Sequence, residues 1–278
     1  MEASDAMSSC VLLLAGGLRS TPLEDDLALP TLMLSASEDA TLLEEWKRAA
    51  LGATDRALTI LTRNAELAKI LPETVNVVRD SDEYRGTAGA VRDAAAKLTG
   101  DVRTLLVCEG RRRPAVPLGD VLAEHAASGR AVSVACAQDG GFLGIYAIEA
   151  DLLTRSVGAV GYQDLKEQWL KRAADLGAVI GAARFAVRGH AGEIHRREDL
   201  LLSAGVHRPK LRYRDLEGLR ADAGVVSRAA TVHGTARLRD SVIMGAARVD
   251  EEAVVYRSIL GPSAHVRAGE VVVNRVVA

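Results

Sequence analysis

Short apolar runs alternate along most of the chain with stretches in which apolar residues recur at helical spacing. The runs are rich in β-favouring residues, as in buried strands, and the helical stretches keep one polar face. Strands are predicted at residues 10–14, 57–61, 75–78, 104–108, 131–136, 144–148 and 178–187, and helices at 41–50, 66–71, 118–128 and 161–170. This alternation is typical of right-handed βαβ units, so the sequence predicts an α/β fold with a Rossmann-like, mostly parallel sheet.

A different pattern begins near residue 224, where apolar residues recur every six positions. Three such sets are displaced from one another by 17 residues: Val226, Val232 and Leu238; Ile243, Val249 and Val255; Leu260, Val266 and Val272. One inward residue per side of a triangular prism produces this spacing, so we expect a short left-handed parallel β-helix of hexapeptide repeats. A two-sheet β structure is the alternative, but it favours alternation every two residues.

These patterns divide the chain into three segments. Residues 1–206 are predicted to form the α/β domain and residues 224–278 the β-helix. Between them, residues 207–223 form a basic connector that contains Pro209 and Gly218 as helix breakers.

Composition argues against several classes of partner. With 35 basic and 37 acidic residues, the chain has no excess charge to attract nucleic acid or a membrane surface. No apolar run reaches membrane-spanning length and the N-terminus is acidic, so we expect a cytoplasmic protein. The cysteines, Cys10, Cys108 and Cys136, lack metal-ligand spacing and are expected in the core.

Two glycine-rich turns are the candidate binding elements. Ala15, Gly16 and Gly17 follow the first apolar run, where small residues let a phosphate approach converging backbone amides, although a tight strand-exit turn is the alternative. The second turn comprises Gly86, Thr87, Ala88 and Gly89 at the start of a predicted helix. Free amides, a hydroxyl and the helix dipole suit an anionic ligand, whereas a plain N-terminal cap is the alternative.

Both turns resemble motifs of the sugar-1-phosphate nucleotidyltransferases, the nucleotide-sugar pyrophosphorylases. Ala15–Gly17 with Pro22-Leu23 resembles their opening L-A-G-G-x-G-T-R-L-x-P-L, and residues 86–90 match their G-T-A-G-A completely. Residues 198–201 match their E-D-L-L, and many members carry a hexapeptide β-helix at the C-terminus. The resemblance implies nucleotide binding at both turns, Mg²⁺ as cofactor, and transfer of a nucleotide to a sugar-1-phosphate with release of pyrophosphate.

The chain departs from the family at its charged positions. Arg111 stands where the family has its first metal-binding aspartate, Leu29 replaces a phosphate-binding lysine, and the segment with the sugar-phosphate lysine is absent. Glu193 occupies the second metal position, which leaves a poor Mg²⁺ site. Arg19 and Arg111 are the candidate catalytic cations, and the run at 111–113 is interpreted as either an anion clamp or a solvated basic turn.

Three functional hypotheses follow. The first is a catalytically impaired pyrophosphorylase-like protein, and the second is a non-catalytic subunit that binds nucleotide or nucleotide sugar. A homo-oligomer, or a hetero-oligomer with an active paralogue, is the expected assembly. The third is a hexapeptide acyltransferase using His233 or His265. His190 and His195 lack helical ligand spacing and are expected to be solvated or hydrogen-bonded.

Overall fold

The helices and the strands of the large sheet come from residues before 206. A computed structural model describes residues 9–15, 19–81, 83–98, 101–187, 189–206 and 224–278. The helices are α1 (Pro22–Leu27), α2 (Leu42–Leu51), α3 (Ala65–Ile70), α4 (Gly86–Ala95), α5 (Leu118–Ser128), α6 (Ala150–Ser156), α7 (Leu170–Asp175) and α8 (Arg197–Ser203), with a 3-10 helix at Thr31–Met33 and a π-helix at Leu165–Trp169. The strands are β1 (Ser9–Leu14), β2 (Thr59–Thr62), β3 (Asn76–Arg79), β4 (Thr104–Glu109), β5 (Val132–Ala137), β6 (Phe142–Glu149) and β7 (Ile180–Phe185).

Seven strands form one sheet in the order β3-β2-β1-β4-β6-β5-β7. All neighbours run parallel except β6, which is antiparallel to both β4 and β5. β6 follows β5 through a loop of residues 138–141, in which Gly140 has a φ of 93°. So short a loop permits only a hairpin. The predicted α/β fold with a mostly parallel sheet is confirmed.

The core of the sheet is built on β1 and β4, whose apolar runs are covered on both faces. On one face Leu12 and Val107 pack in a cluster with Ala88 of α4, Leu153 of α6 and Trp169 of the π-helix. Cys10 and Cys108 are buried, as the sequence predicts, and Cys136 is half-buried. None of the helices among the described residues is long and apolar enough to cross a membrane.

The chain divides into two compact units, and neither is continuous in sequence. One comprises the described parts of Met1–Arg19 and Trp46–Arg188, which include the large sheet; the other comprises those of Ser20–Glu45 and Gly189–Ala278. The α/β domain predicted from the sequence, at 1–206, instead includes 20–45 and 189–206. The connector predicted at 207–223 lies outside the described residues, so the domain limits stay a prediction.

The tail consists of short strands that pair in parallel. They are β8 (Gly224–Val226), β9 (Thr231–Val232), β10 (Arg237–Arg239), β11 (Ser241–Ile243), β12 (Arg248–Val249), β13 (Val254–Tyr256), β14 (Ile259–Leu260), β15 (His265–Val266), β16 (Val271–Val273) and β17 (Val276–Val277). They form three sheets, with the orders β10-β13-β16, β17-β14-β11-β8 and β15-β12-β9. Val249 pairs with Val232 and Val266, which confirms the 17-residue displacement.

All three tail sheets contribute to one apolar cluster. Its buried members include Ile243 and Val249 from two of the sheets and Val255 from the third. Between the sheets the backbone enters the left-handed region at Asp240, Arg257 and Asn274, with φ of 47°, 47° and 56°. These positions are also 17 residues apart, so the repeat extends from side chains to the backbone.

Candidate functional site

The first glycine turn follows β1 at the carboxyl end of the sheet. Ala15 is buried, and its N–H donates to the carbonyl of Leu61 at 2.9 Å. The expectation that this amide is free for a phosphate is therefore wrong, because it extends the pairing of β1 with β2. Gly16 and Gly17 lie outside the described residues.

The two candidate catalytic arginines meet beside this turn. Arg111 donates from Nη2 to the carbonyl oxygen of Arg19 at 2.8 Å. The N–H of Gly110 donates to Leu14 O at 2.9 Å, and a Cβ at position 110 would lie 2.7 Å from that oxygen. Glycine thus lets the end of β4 approach the end of β1, and this approach allows Arg111 to reach Arg19.

The second glycine turn is packed against its own surroundings. A Cβ on Gly86 would lie 2.4 Å from the carbonyl oxygen of Gln163, and one on Gly89 would lie 2.7 Å from Cβ of Arg85. The N–H of Ala88 donates to the same Gln163 oxygen at 3.0 Å. The expectation of a free amide at Ala88 is therefore wrong, and close packing accounts for both glycines.

The hydroxyl of Thr87 joins this turn to the π-helix. It donates to Asp164 Oδ2 at 2.8 Å and accepts the N–H of Leu165 at 2.9 Å. Burial raises the pKa of Asp164, but hydrogen bonds from the N–H of Glu167, from Thr87 and from the N–H of Lys166 outweigh it, so the pKa lies below its usual range. Asp164 is thus an ionised N-cap that fixes the start of the π-helix.

A charged cluster lies at the carboxyl end of β4. Glu109 accepts from Arg112 Nε at 2.8 Å through Oε2 and from Lys166 Nζ at 2.6 Å through Oε1. The ring of Phe142 lies under both cations, 5.5 Å from Arg112 Cζ and 4.6 Å from Lys166 Nζ. Neither Glu109 nor Lys166 is among the residues predicted from the sequence; the signal for Lys166 is its place in the first turn of a helix that Asp164 caps.

Tyr146 lies beside this cluster on β6. Its ring centroid is 5.0 Å from that of Phe142, and the residue is 3% exposed. Burial raises the pKa of the phenol, and the nearby carboxylates of Glu109 and Asp164 raise it further. Tyr146 is consequently a neutral hydroxyl at any physiological pH.

Glu193, the candidate metal ligand, belongs to the other compact unit. Its Oε1 lies 3.1 Å from Nε2 of His195, so the carboxylate faces an imidazole. Among the described residues, no three His, Cys, Asp or Glu side chains come together in a way that could hold a metal ion. Arg111 is a cation and Glu109 is engaged by two more, so the donor set does not fit Mg²⁺.

Comparison of the chain with models of known protein families and with curated proteins finds no match. The resemblance to the nucleotidyltransferases therefore stays a prediction. Arg112 and Lys166 lie on either side of the Glu109 carboxylate, and Arg111 contacts Arg19; we call these four basic residues the cation-rich edge. Such an edge attracts phosphate groups and repels divalent cations.

Proposed function

We propose that the chain is a nucleotide-sugar pyrophosphorylase-like protein of the sugar-1-phosphate nucleotidyltransferase family that binds a nucleotide or nucleotide sugar with little or no turnover. The observation that carries the proposal is the contact between Arg111 and Arg19 at 2.8 Å. It joins the end of β4 to Arg19, which follows in sequence the first glycine turn, where a phosphate is expected. Ligands of open α/β sheets bind at this carboxyl edge.

The distribution of charged side chains accounts for the proposed loss of turnover. Transfer of a nucleotidyl group spreads negative charge over phosphate oxygens, and a metal ion and lysines normally neutralise it. Arg111 stands at the first metal position, and Glu109 is neutralised by Arg112 and Lys166. The cations Arg111, Arg112 and Lys166 suit the binding of an anion. The Glu109 carboxylate is engaged by two of them and offers Mg²⁺ too few oxygens.

The three tail sheets support the finer proposal of a left-handed parallel β-helix. Steps of six residues lead from Val226 to Val232 and on to Leu238, and each of these starts a stack in a different sheet. One inward residue per side is the hexapeptide arrangement. We infer that the tail assembles the protein with further copies or with an active paralogue.

The acyltransferase hypothesis receives no support from the two tail histidines. The ring of His233 bonds to Thr235, and Nε2 of His265 lies 2.7 Å from Asp250 Oδ2. Both rings are at exposed positions. A regulatory subunit that binds nucleotide without turnover is the closer alternative, because the same cation-rich edge favours it.

The proposed function is tested by ligand binding. The melting temperature is measured with nucleoside triphosphates and nucleotide sugars, with and without Mg²⁺, and hits are titrated by calorimetry. We expect a nucleotide or nucleotide sugar to raise the melting temperature without Mg²⁺. Gly17→Val is expected to abolish that binding without unfolding the chain. Gly234→Val, at a position with open space around its Cα, serves as the control.

The proposal is wrong if none of these ligands shifts the melting temperature. It is also wrong in its placement of the phosphate if Gly17→Val binds as tightly as the parent.

A further inference from the structure

Glu109 is held between two cations that come from distant parts of the chain. Arg112 follows it in the turn after β4, whereas Lys166 belongs to the π-helix. Each carboxylate oxygen has its own cation, Oε2 with Arg112 Nε at 2.8 Å and Oε1 with Lys166 Nζ at 2.6 Å. A phosphate group bridges two basic side chains in the same way, with one oxygen for each.

Arg112 is positioned by contacts other than Glu109. The indole N–H of Trp46, a residue with no exposed surface, donates to the backbone carbonyl of Arg112 at 2.8 Å. The side chain then passes across Gly144, where a Cβ would lie 2.4 Å from Arg112 Cδ. Its guanidinium ends over the ring of Phe142. These contacts hold the guanidinium in place whether or not Glu109 carries a charge.

Lys166 is likewise held by its own element. The π-helix begins at Asp164, whose Oδ1 accepts the N–H groups of Lys166 and Glu167 at 2.8 Å and 3.0 Å. The Thr87 hydroxyl ties the same Asp164 to the start of α4. The ammonium lies 4.6 Å from the centroid of the Phe142 ring, a favourable cation–π distance. π-Helices of this length are frequent at functional sites.

Solvent reaches the cluster from the side of the lysine. The side chain of Lys166 is 50% exposed, against 18% for Glu109 and 13% for Arg112. An anion arriving from solution therefore meets the ammonium first.

We propose that Arg112 and Lys166 form a phosphate-binding subsite and that Glu109 is its resident counter-ion, which a phosphate group displaces. A phosphate monoester carries about −1.5 to −2 charge at pH 7 and exceeds a carboxylate in both charge and acceptor oxygens. The subsite supplies two cations to a chain that, by the resemblance, lacks the phosphate-binding lysines of the family. It deepens the proposed function by naming the group that binds, and it rests on that function for the identity of the ligand.

The experiment compares phosphate binding in variants of the full chain. Inorganic pyrophosphate and glucose-1-phosphate are titrated by calorimetry at low ionic strength without metal. Pyrophosphate stands for the diphosphate of a nucleotide and glucose-1-phosphate for a sugar phosphate, so the two probes show which of them supplies the bound phosphate group. Glu109→Gln is expected to bind one of them at least tenfold more tightly than the parent, because the competing charge is removed. Adding Lys166→Met is expected to abolish the gain, whereas adding Lys171→Met, an exposed lysine of α7, is expected to preserve it.

The subsite is overturned if Glu109→Gln binds both probes no more tightly than the parent, or if the gain survives Lys166→Met. Melting temperatures of all variants are measured alongside, and Lys166→Gln gives a second removal of the charge. A gain on pyrophosphate in a chain that binds no nucleotide supports the subsite and overturns the proposed function. Nucleotide binding that is insensitive to Glu109 and Lys166 overturns the subsite alone.

Discussion

Gly86 shows how a residue that matches a binding motif is also fixed by packing. Its φ is 73°, in the left-handed region that side chains with a Cβ rarely adopt, and its Cα faces the carbonyl of Gln163. A binding role and a packing role predict the same residue here. The sequence therefore reveals that glycine is needed at 86 without revealing which of the two reasons applies.

Gly86→Ala is predicted to destabilise the protein by about 3 kcal/mol or more, because backbone strain adds to the contact with Gln163. Gly129→Ala is the matched control. Its φ is 62° but nothing lies within 4 Å of an added Cβ, so only the strain, about 1–2 kcal/mol, is expected. Urea denaturation measures the free energy of unfolding of both variants. Equal decreases for Gly86→Ala and Gly129→Ala would show that the contact with Gln163 is relieved without cost.

His125 predicts a pH dependence of stability. Burial in α5 lowers its pKa below the ordinary 6.5, and Nδ1 lies 2.9 Å from the Ser133 hydroxyl. The folded protein thus binds the proton less tightly than the unfolded chain does. The stabilisation is complete above about pH 6.5 and decreases as the pH falls below that value.

The measurement is the melting temperature between pH 7.5 and about pH 5, a window that starts above the ordinary histidine pKa and ends below it. His125→Gln is expected to show a smaller decrease than the parent, and the exposed His233→Gln is expected to behave as the parent does. A parent and a His125→Gln variant with parallel curves would contradict the assignment.

Most strands and helices of the α/β part could be predicted from the sequence, including the short α3 at 65–70, but α1 and the π-helical form of residues 165–169 could not. The apolar run at 104–108 became β4 almost unchanged, and the helix at 118–128 has its predicted bounds. The cue for α1 is the capping box between Thr21 and Glu24. The π-helix depends on side-chain contacts with Thr87, which no local pattern encodes.

Val249 tests the inward face of the tail sheets. It is 1% exposed within the apolar cluster. Thr231, which pairs with the adjacent Arg248, is exposed and serves as the control. Val249→Asp buries a charge without a partner and should cost about 3–5 kcal/mol, whereas Thr231→Asp should cost well under 1 kcal/mol. Thermal unfolding compares the two. Equal melting temperatures for Val249→Asp and the parent would show that the inward assignment is wrong.

At the scale of the molecule, sequence predicts which segments approach the carboxyl edge but not how their charges pair. β1 and β4 bring Arg19 and Arg111 together because parallel strands end at one edge. The pairing of Glu109 with Lys166 joins residues far apart in sequence and depends on how the π-helix lies against β6. The resemblance implied a damaged metal site, and the structure adds a carboxylate, that of Glu109, which two cations already engage.

We propose that this edge binds a nucleotide or nucleotide sugar with little or no nucleotidyl transfer, and release of pyrophosphate tests this most directly. Pyrophosphate release is measured with Mg²⁺ for each nucleoside triphosphate paired with glucose-, mannose- or N-acetylglucosamine-1-phosphate, on protein already shown to bind nucleotide. We expect no pair to release pyrophosphate above the protein-free background, because Arg111 and the neutralised Glu109 leave no site for the metal. Sustained release by the unmodified chain with any pair would contradict it.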